Sequence, residues 1–176
     1  MVIDAPTAQR FIATYKAFLL ALAGGGKKEP TGQALYRAMH KGRKCFHADR
    51  SLLDAYRAQH PHADAGMLDT IAHSQLGRWV HLKDTRTYSV LLDMDATRAY
   101  GVLGLTQPLS HIDAGEGYVM GSGLVLDAAL VPLNGRWVCD GLVFDPVWLG
   151  PQYKRSYTAS YTALRKAGGF SAVPAG

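Results

Sequence analysis

The stretch LVLDAALVPLNGRWVCDGLVF, residues 124–144, decides the fold. Two apolar runs, Leu124–Leu133 and Arg136–Phe144, flank Asn134-Gly135. An Asn-Gly pair in that setting predicts a two-residue hairpin turn. Both central residues of such a turn need positive φ, which Asn tolerates and Gly adopts freely. Upstream, Trp79–Leu82, Thr87–Leu92 and Arg98–Leu103 are short runs rich in β-branched and aromatic residues. The turn-like segments Lys83-Asp84-Thr85 and Asp93–Ala96 separate them. The expectation is an antiparallel meander of about five strands over residues 77–145, ended by Pro146, Gly150 and Pro151.

On either side the periodicity changes from two to about 3.6. Residues 7–76 read as three or four helices. Asp4 or Thr7 with Pro6 starts the first, and Phe11, Ile12, Tyr15, Phe18, Leu19 and Leu22 form its apolar stripe. Pro30-Thr31 opens a second, with Leu35, Ala38 and Met39 inward and Gly42 as its stop. A third starts at Ala48 or Asp49 and carries Leu52, Leu53 and Tyr56, until Pro61 disfavours helical geometry at His60. Asp64 caps a fourth that carries Met67, Leu68, Ile71 and Leu76. A last helix over 152–167 presents Tyr153, Tyr157, Tyr161 and Leu164 on one face and is expected to pack on the sheet. Residues 168–176 are expected to be a loose tail. Helices followed by strands indicate an α+β fold, and 176 residues suit a single domain over 1–176.

Bulk composition excludes a disordered chain: 48% of residues are hydrophobic and 19% charged. No run approaches the roughly 18 apolar residues that span a bilayer, and Ala17–Ala23 is read as part of an amphipathic helix rather than a secretory leader. Cys45 and Cys139, the only cysteines, are read as reduced thiols, which together with the rest points to a cytoplasmic protein.

Charge is unevenly divided. Residues 1–76 carry +4, residues 77–150 carry −3, and residues 151–176 carry +4 with no acidic residue. The densest cationic stretch holds Arg37, Lys41, Arg43, Lys44 and Arg50 against Asp49 alone, with Tyr36 and Phe46 as stacking candidates. Lys154 and Arg155 add a second cluster on the last helix, and Arg165 and Lys166 lie at its other end. This pattern suits a non-enzymatic binding module whose basic surface engages an acidic partner protein or nucleic acid. No cofactor and no membrane is implied, and a homo-oligomer through a sheet edge or the tyrosine stripe is a further alternative.

His60-Pro61-His62-Ala63-Asp64 is the one metal-ligand pattern. Its spacing resembles the start of the HxHxDH motif of metallo-β-lactamase-fold hydrolases. The resemblance covers five residues, Ala65 stands where the final His would be, and a helical pattern precedes it where that fold has a strand. A helix–helix turn capped by Asp64 is therefore the expected reading of His60, His62 and Asp64, with a zinc site as the lesser one. A small hydrolase is the alternative function. It would gather His81, Asp93, Asp140 or Cys139 around a pocket between sheet and helices. Strand alternation puts Cys139 and Asp140 on opposite faces. Neither Gly24–Lys28 nor Gly121-Ser122-Gly123 has phosphate-loop spacing.

Overall fold

A computed structural model describes residues 1–24, 29–115, 118–119 and 121–174. The chain divides into two compact units, Asp4–His73 and Met1–Ile3 with Ser74–Gly176.

The first unit is helical: α1 (Ala5–Leu22), α2 (Gly32–Ala48), α3 (Leu52–Gln59) and α4 (Ala65–Ala72). Asp4 caps α1 by accepting the Thr7 amide at 2.9 Å, and Pro6 lies in its first turn. The stripe Phe11, Tyr15, Phe18 and Leu19 is buried. Phe18 meets Phe46 and Tyr56 edge-on, with ring centroids 5.1 Å apart in both cases. One boundary departs from expectation: α2 does not stop at Gly42 but runs on to Ala48. The missing side chain at Gly42 is used for close approach, because a Cβ there would overlap the Leu19 backbone. Continuing the helix carries its inner stripe through Gly42, Arg43 and Phe46, all buried. The third helix starts correspondingly later, at Leu52.

The second unit is a mixed sheet with helix α5 (Pro151–Ala167). Its first strands are β1 (Gln75–Asp84), β2 (Ser89–Asp93) and β3 (Ala99–Leu103). A separate two-stranded ribbon, β4 (Asp113–Gly115) with β5 (Tyr118–Val119), intervenes. The main sheet resumes with β6 (Leu124–Leu133), β7 (Arg136–Cys139), β8 (Phe144–Trp148) and β9 (Phe170–Ser171). The expected meander is corrected in two ways. The sheet has seven strands, and it is not purely antiparallel, since β3 runs parallel to both β7 and β9. Hairpin pairing links β1 to β2 and β2 to β3. Next, β6 returns to lie beside β1, with Gln75 opposite Leu130 and His81 opposite Leu124, which is a Greek-key order. The Asn134-Gly135 turn, with φ of 50° and 67°, then delivers β7 onto β3. Val102 pairs with Trp137 and Leu103 with Val138. The pairings β1–β2–β3–β7–β6–β1 therefore close a five-stranded ring.

Alternation along β6 divides the two cores. Leu124, Leu126, Ala128 and Leu130 join Trp79, Leu91, Tyr100, Val102 and Trp137 inside the ring. Val125 lies on the outer face with Val80, Leu82, Val90, Leu92 and Ala99, where Tyr161 of α5 covers them. The C-terminal helix thus packs on the sheet. Its tyrosines are graded: Tyr161 is 4% exposed, Tyr157 is half-buried, and Tyr153 is 66% exposed. Beyond α5, Phe170–Ser171 is not loose tail but β9.

Candidate functional site

The basic stretch of α2 splits once it is folded. Arg43 is 1% exposed, on the inner stripe created by the longer helix, and so adds nothing to the surface. Phe46 is fully buried and cannot stack on a ligand. Lys41 donates to the Ala23 carbonyl at 3.1 Å. Arg50 donates to His47 Nδ1 at 2.7 Å and lies 4.3 Å from the Phe46 ring centroid. Arg37 and Lys44 are exposed, with no carboxylate partner among the described residues.

Helix α5 is the counterpart in the second unit. Both helices are 17 residues long, carry four cations and contain no Asp or Glu. Lys154 and Arg155 are exposed and have no carboxylate partner among the described residues. Arg165 lies 5.8 Å from the Phe170 ring centroid, near the helix C-terminus, where a cation also meets the negative end of the macrodipole. Next to Lys154 the chain exposes Val147 and Trp148, which the sequence pattern did not single out, and Tyr153, which was expected to pack on the sheet. Val147 and Trp148 are each 48% exposed on β8, and Tyr153 follows in the first turn of α5. Pro146 inside an apolar run was the available signal, since proline in a strand marks an edge.

The His60–Asp64 segment lines a groove of about 380 Å³ with Ala13, Thr14 and Ala17 of α1. It is the expected turn. Asp64 Oδ1 accepts the Met67 amide at 3.1 Å and caps α4, while its Oδ2 receives Arg10 Nε and Nη2 at 3.0 and 2.7 Å. Chiefly that guanidinium, and then the Met67 amide, hold the Asp64 carboxyl below the usual carboxylate range. His60 stacks on Tyr56 with centroids 4.2 Å apart. Among the described residues no group of three His, Cys, Asp or Glu side chains could hold a metal ion.

Among the hydrolase candidates, Asp93, Asp140 and His81 are committed to hydrogen bonds within the fold. Asp93 accepts the Thr97 and Arg98 amides at 2.8 and 3.1 Å. Asp140 accepts the Ala129 and Leu142 amides, both at 3.2 Å. Cys139 is buried inside the ring. His81 is also fully buried, and its Nε2 lies 3.0 Å from Asp84 Oδ1. Ser89 Oγ donates to that same oxygen at 2.5 Å. Nucleophile activation needs the hydroxyl on the base; here it is on the carboxylate, and His81 Nδ1 has no partner among the described residues. Cys45 and Cys139 form no disulfide and lie one in each unit. At Gly121-Ser122-Gly123, the Gly123 amide donates to the His81 carbonyl at 2.7 Å, a close backbone contact rather than an anion cradle. Gly25–Lys28, the other glycine-rich candidate, lies outside the described residues.

Among the described residues no helix is long and apolar enough to cross a membrane. Compared with known proteins, the chain matches no family model, no curated protein and no solved structure.

Proposed function

We propose that the chain is a non-enzymatic binding module that engages an acidic macromolecule through cations on α2 and α5. One observation carries this: Arg37 and Lys44 on the first helix, and Lys154 and Arg155 on the second, are exposed on elements without a single carboxylate. An exposed cation with a nearby carboxylate is largely neutralised at short range. A pair without one, on each of the two helices, projects a field at that helix that attracts polyanions. The cations tied into structure, Lys41, Arg43 and Arg50, support the helix and are not counted in this surface.

Binding of labelled polyglutamate and of oligothymidylate, followed by anisotropy across salt concentrations, tests the reading. Affinity for both probes should fall steeply as salt rises. The pairs Arg37→Glu with Lys44→Glu, and Lys154→Glu with Arg155→Glu, should each weaken binding and flatten its salt dependence. For the oligonucleotide the slope should drop by about one for each phosphate no longer neutralised. No binding to either polyanion at low salt would refute it.

A further inference from the structure

We infer that the outer face of the sheet carries a phosphate-binding site, in which Lys83 at the end of β1 and Arg165 in the last turn of α5 meet a phosphate group and the Tyr161 hydroxyl donates to it. Neither cation is among the four that carry the polyanion reading, so the two stand or fall separately.

Three observations point to it. The first is position. Lys83 is opposite Val90 in the register of β1 with β2, so its side chain lies with Val90 on the outer face rather than inside the ring. There its Nζ stands 4.9 Å from the Tyr161 ring centroid. Arg165 follows Tyr161 by one helical turn, on the same face of α5. Its guanidinium carbon is 5.8 Å from the Phe170 ring centroid. Phe170 is the middle ring of three, with centroids 5.9 Å from Tyr161 and 5.4 Å from Tyr88. Three elements, β1, α5 and β9, thus bring two cations to one cluster of rings.

The second is chemistry. The cluster offers an ammonium, a guanidinium and a phenol, all of which donate. Both cations are exposed, and neither pairs with a carboxylate among the described residues. Asp84, next to Lys83, points the other way, into bonds with His81 and Ser89. Asp93 and Asp95 act on Tyr157, one turn back along α5. Burial holds the Tyr161 phenol above its usual pKa; Tyr88 adds to this and Arg165 opposes it. The hydroxyl therefore stays protonated at neutral pH and able to donate. Donors gathered without a carboxylate suit an oxyanion. A phosphate group fits best, because its several terminal oxygens can meet the guanidinium fork, the ammonium and the phenol together. A carboxylate would leave one of them unmet.

The third is preorganisation. Lysine and arginine in open solvent sample many rotamers, but these two are held over aromatic rings. An anion that binds them orders little more, which favours affinity. The C-terminal end of α5 is its negative end and disfavours an anion, but by less than one hydrogen bond from a cation supplies.

The test uses the full chain, isotope-labelled and titrated with inorganic phosphate, glycerol 3-phosphate or acetate, and follows the backbone amides of Lys83 and Arg165. Phosphate should bind saturably and more tightly than acetate. Lys83→Gln and Arg165→Gln should each weaken it by about tenfold, the loss of one hydrogen bond to a charged group. Lys83→Arg keeps the charge and should retain binding, and Tyr161→Phe keeps the ring, removes the donor and should cost less than either glutamine. Both cations are exposed, so an unchanged circular dichroism spectrum will confirm that their variants fold. Binding of inorganic phosphate alone supports a site for the free ion; binding of glycerol 3-phosphate at least as tight supports one for a phosphate ester. No saturable shift with either phosphate, acetate binding as tightly, or indifference to both glutamine variants overturns the inference. Phosphate binding in a chain that ignores polyglutamate and oligothymidylate removes the broader reading and leaves this one standing.

Discussion

The Leu19 carbonyl occupies the space where a side chain at Gly42 would begin, so α1 and α2 touch backbone to backbone. Gly42→Ala must push the helices apart, because the atom it meets is main chain rather than a flexible side-chain tip. We expect a loss of about 1–3 kcal/mol or more, the range for overpacking, read from the urea midpoint of the helical signal. A change below the error of the measurement would show that the two helices are not in backbone contact.

His47 makes the helical unit sensitive to acid. Burial first, and then the neighbouring Arg50 and Arg43, push its pKa down to about 3. The geometry agrees, because Arg50 donates to Nδ1 and that bond needs the unprotonated ring nitrogen. The unfolded chain takes up a proton near pH 6.5 and the folded one does not, so stability is full above about 6.5 and falls as pH drops toward 3. His47→Gln keeps an acceptor for Arg50 and removes the titration. Its stability should be flatter between those limits than that of the parent.

Asp84 acts in the same direction but at lower pH. The His81 imidazole chiefly, with help from the Ser89 hydroxyl, holds its carboxyl below the usual range. Its contribution is present above the unfolded carboxylate pKa and disappears as pH falls through the lowered folded value. Asp84→Asn should reduce the acid sensitivity of the sheet signal below about pH 4 while leaving the His47-dependent phase in place.

Asp64 and Arg10 form a close pair of unequal worth. Asp64→Ala removes the α4 cap and should cost about 1–2 kcal/mol. Arg10 is 61% exposed, so Arg10→Ala should cost under about 1 kcal/mol. Asp64→Asn, which can still cap, should resemble the arginine variant when thermal midpoints are compared. Equal losses for Asp64→Ala and Asp64→Asn would show that the ion pair, not the cap, matters.

Local signals in the sequence are legible where one residue type sets one conformation. Asn134-Gly135 makes the turn its φ values require, Asp64 caps its helix, and the 3.6-residue stripe of α1 is buried. Gly42 is ambiguous because glycine serves both as a helix stop and as a close-contact point, and only the position of Leu19 decides between them. Taking it as a stop also puts Arg43 on the surface, where the structure does not have it. The ring closure leaves no local trace: two rungs of parallel pairing at Val102 and Leu103 have no periodicity of their own. The exposed face of α5 is half legible. Lys154 and Arg155 stand out as charges, but the exposure of Tyr153 depends on where the sheet ends beneath α5, which the spacing of the tyrosines does not record.

The two-rung seam also constrains the order in which the molecule assembles. The ring is complete only when β1 has found β6 across a span such as Arg78 to Asp127, 49 positions, and the hairpin has also brought β7 to β3. The entropy of closing so long a loop precedes the contacts that offset it, whereas helices gain their contacts one turn at a time. A refolding chain should therefore recover helical ellipticity early and close its barrel last, with the indole of Trp137 reporting the final step.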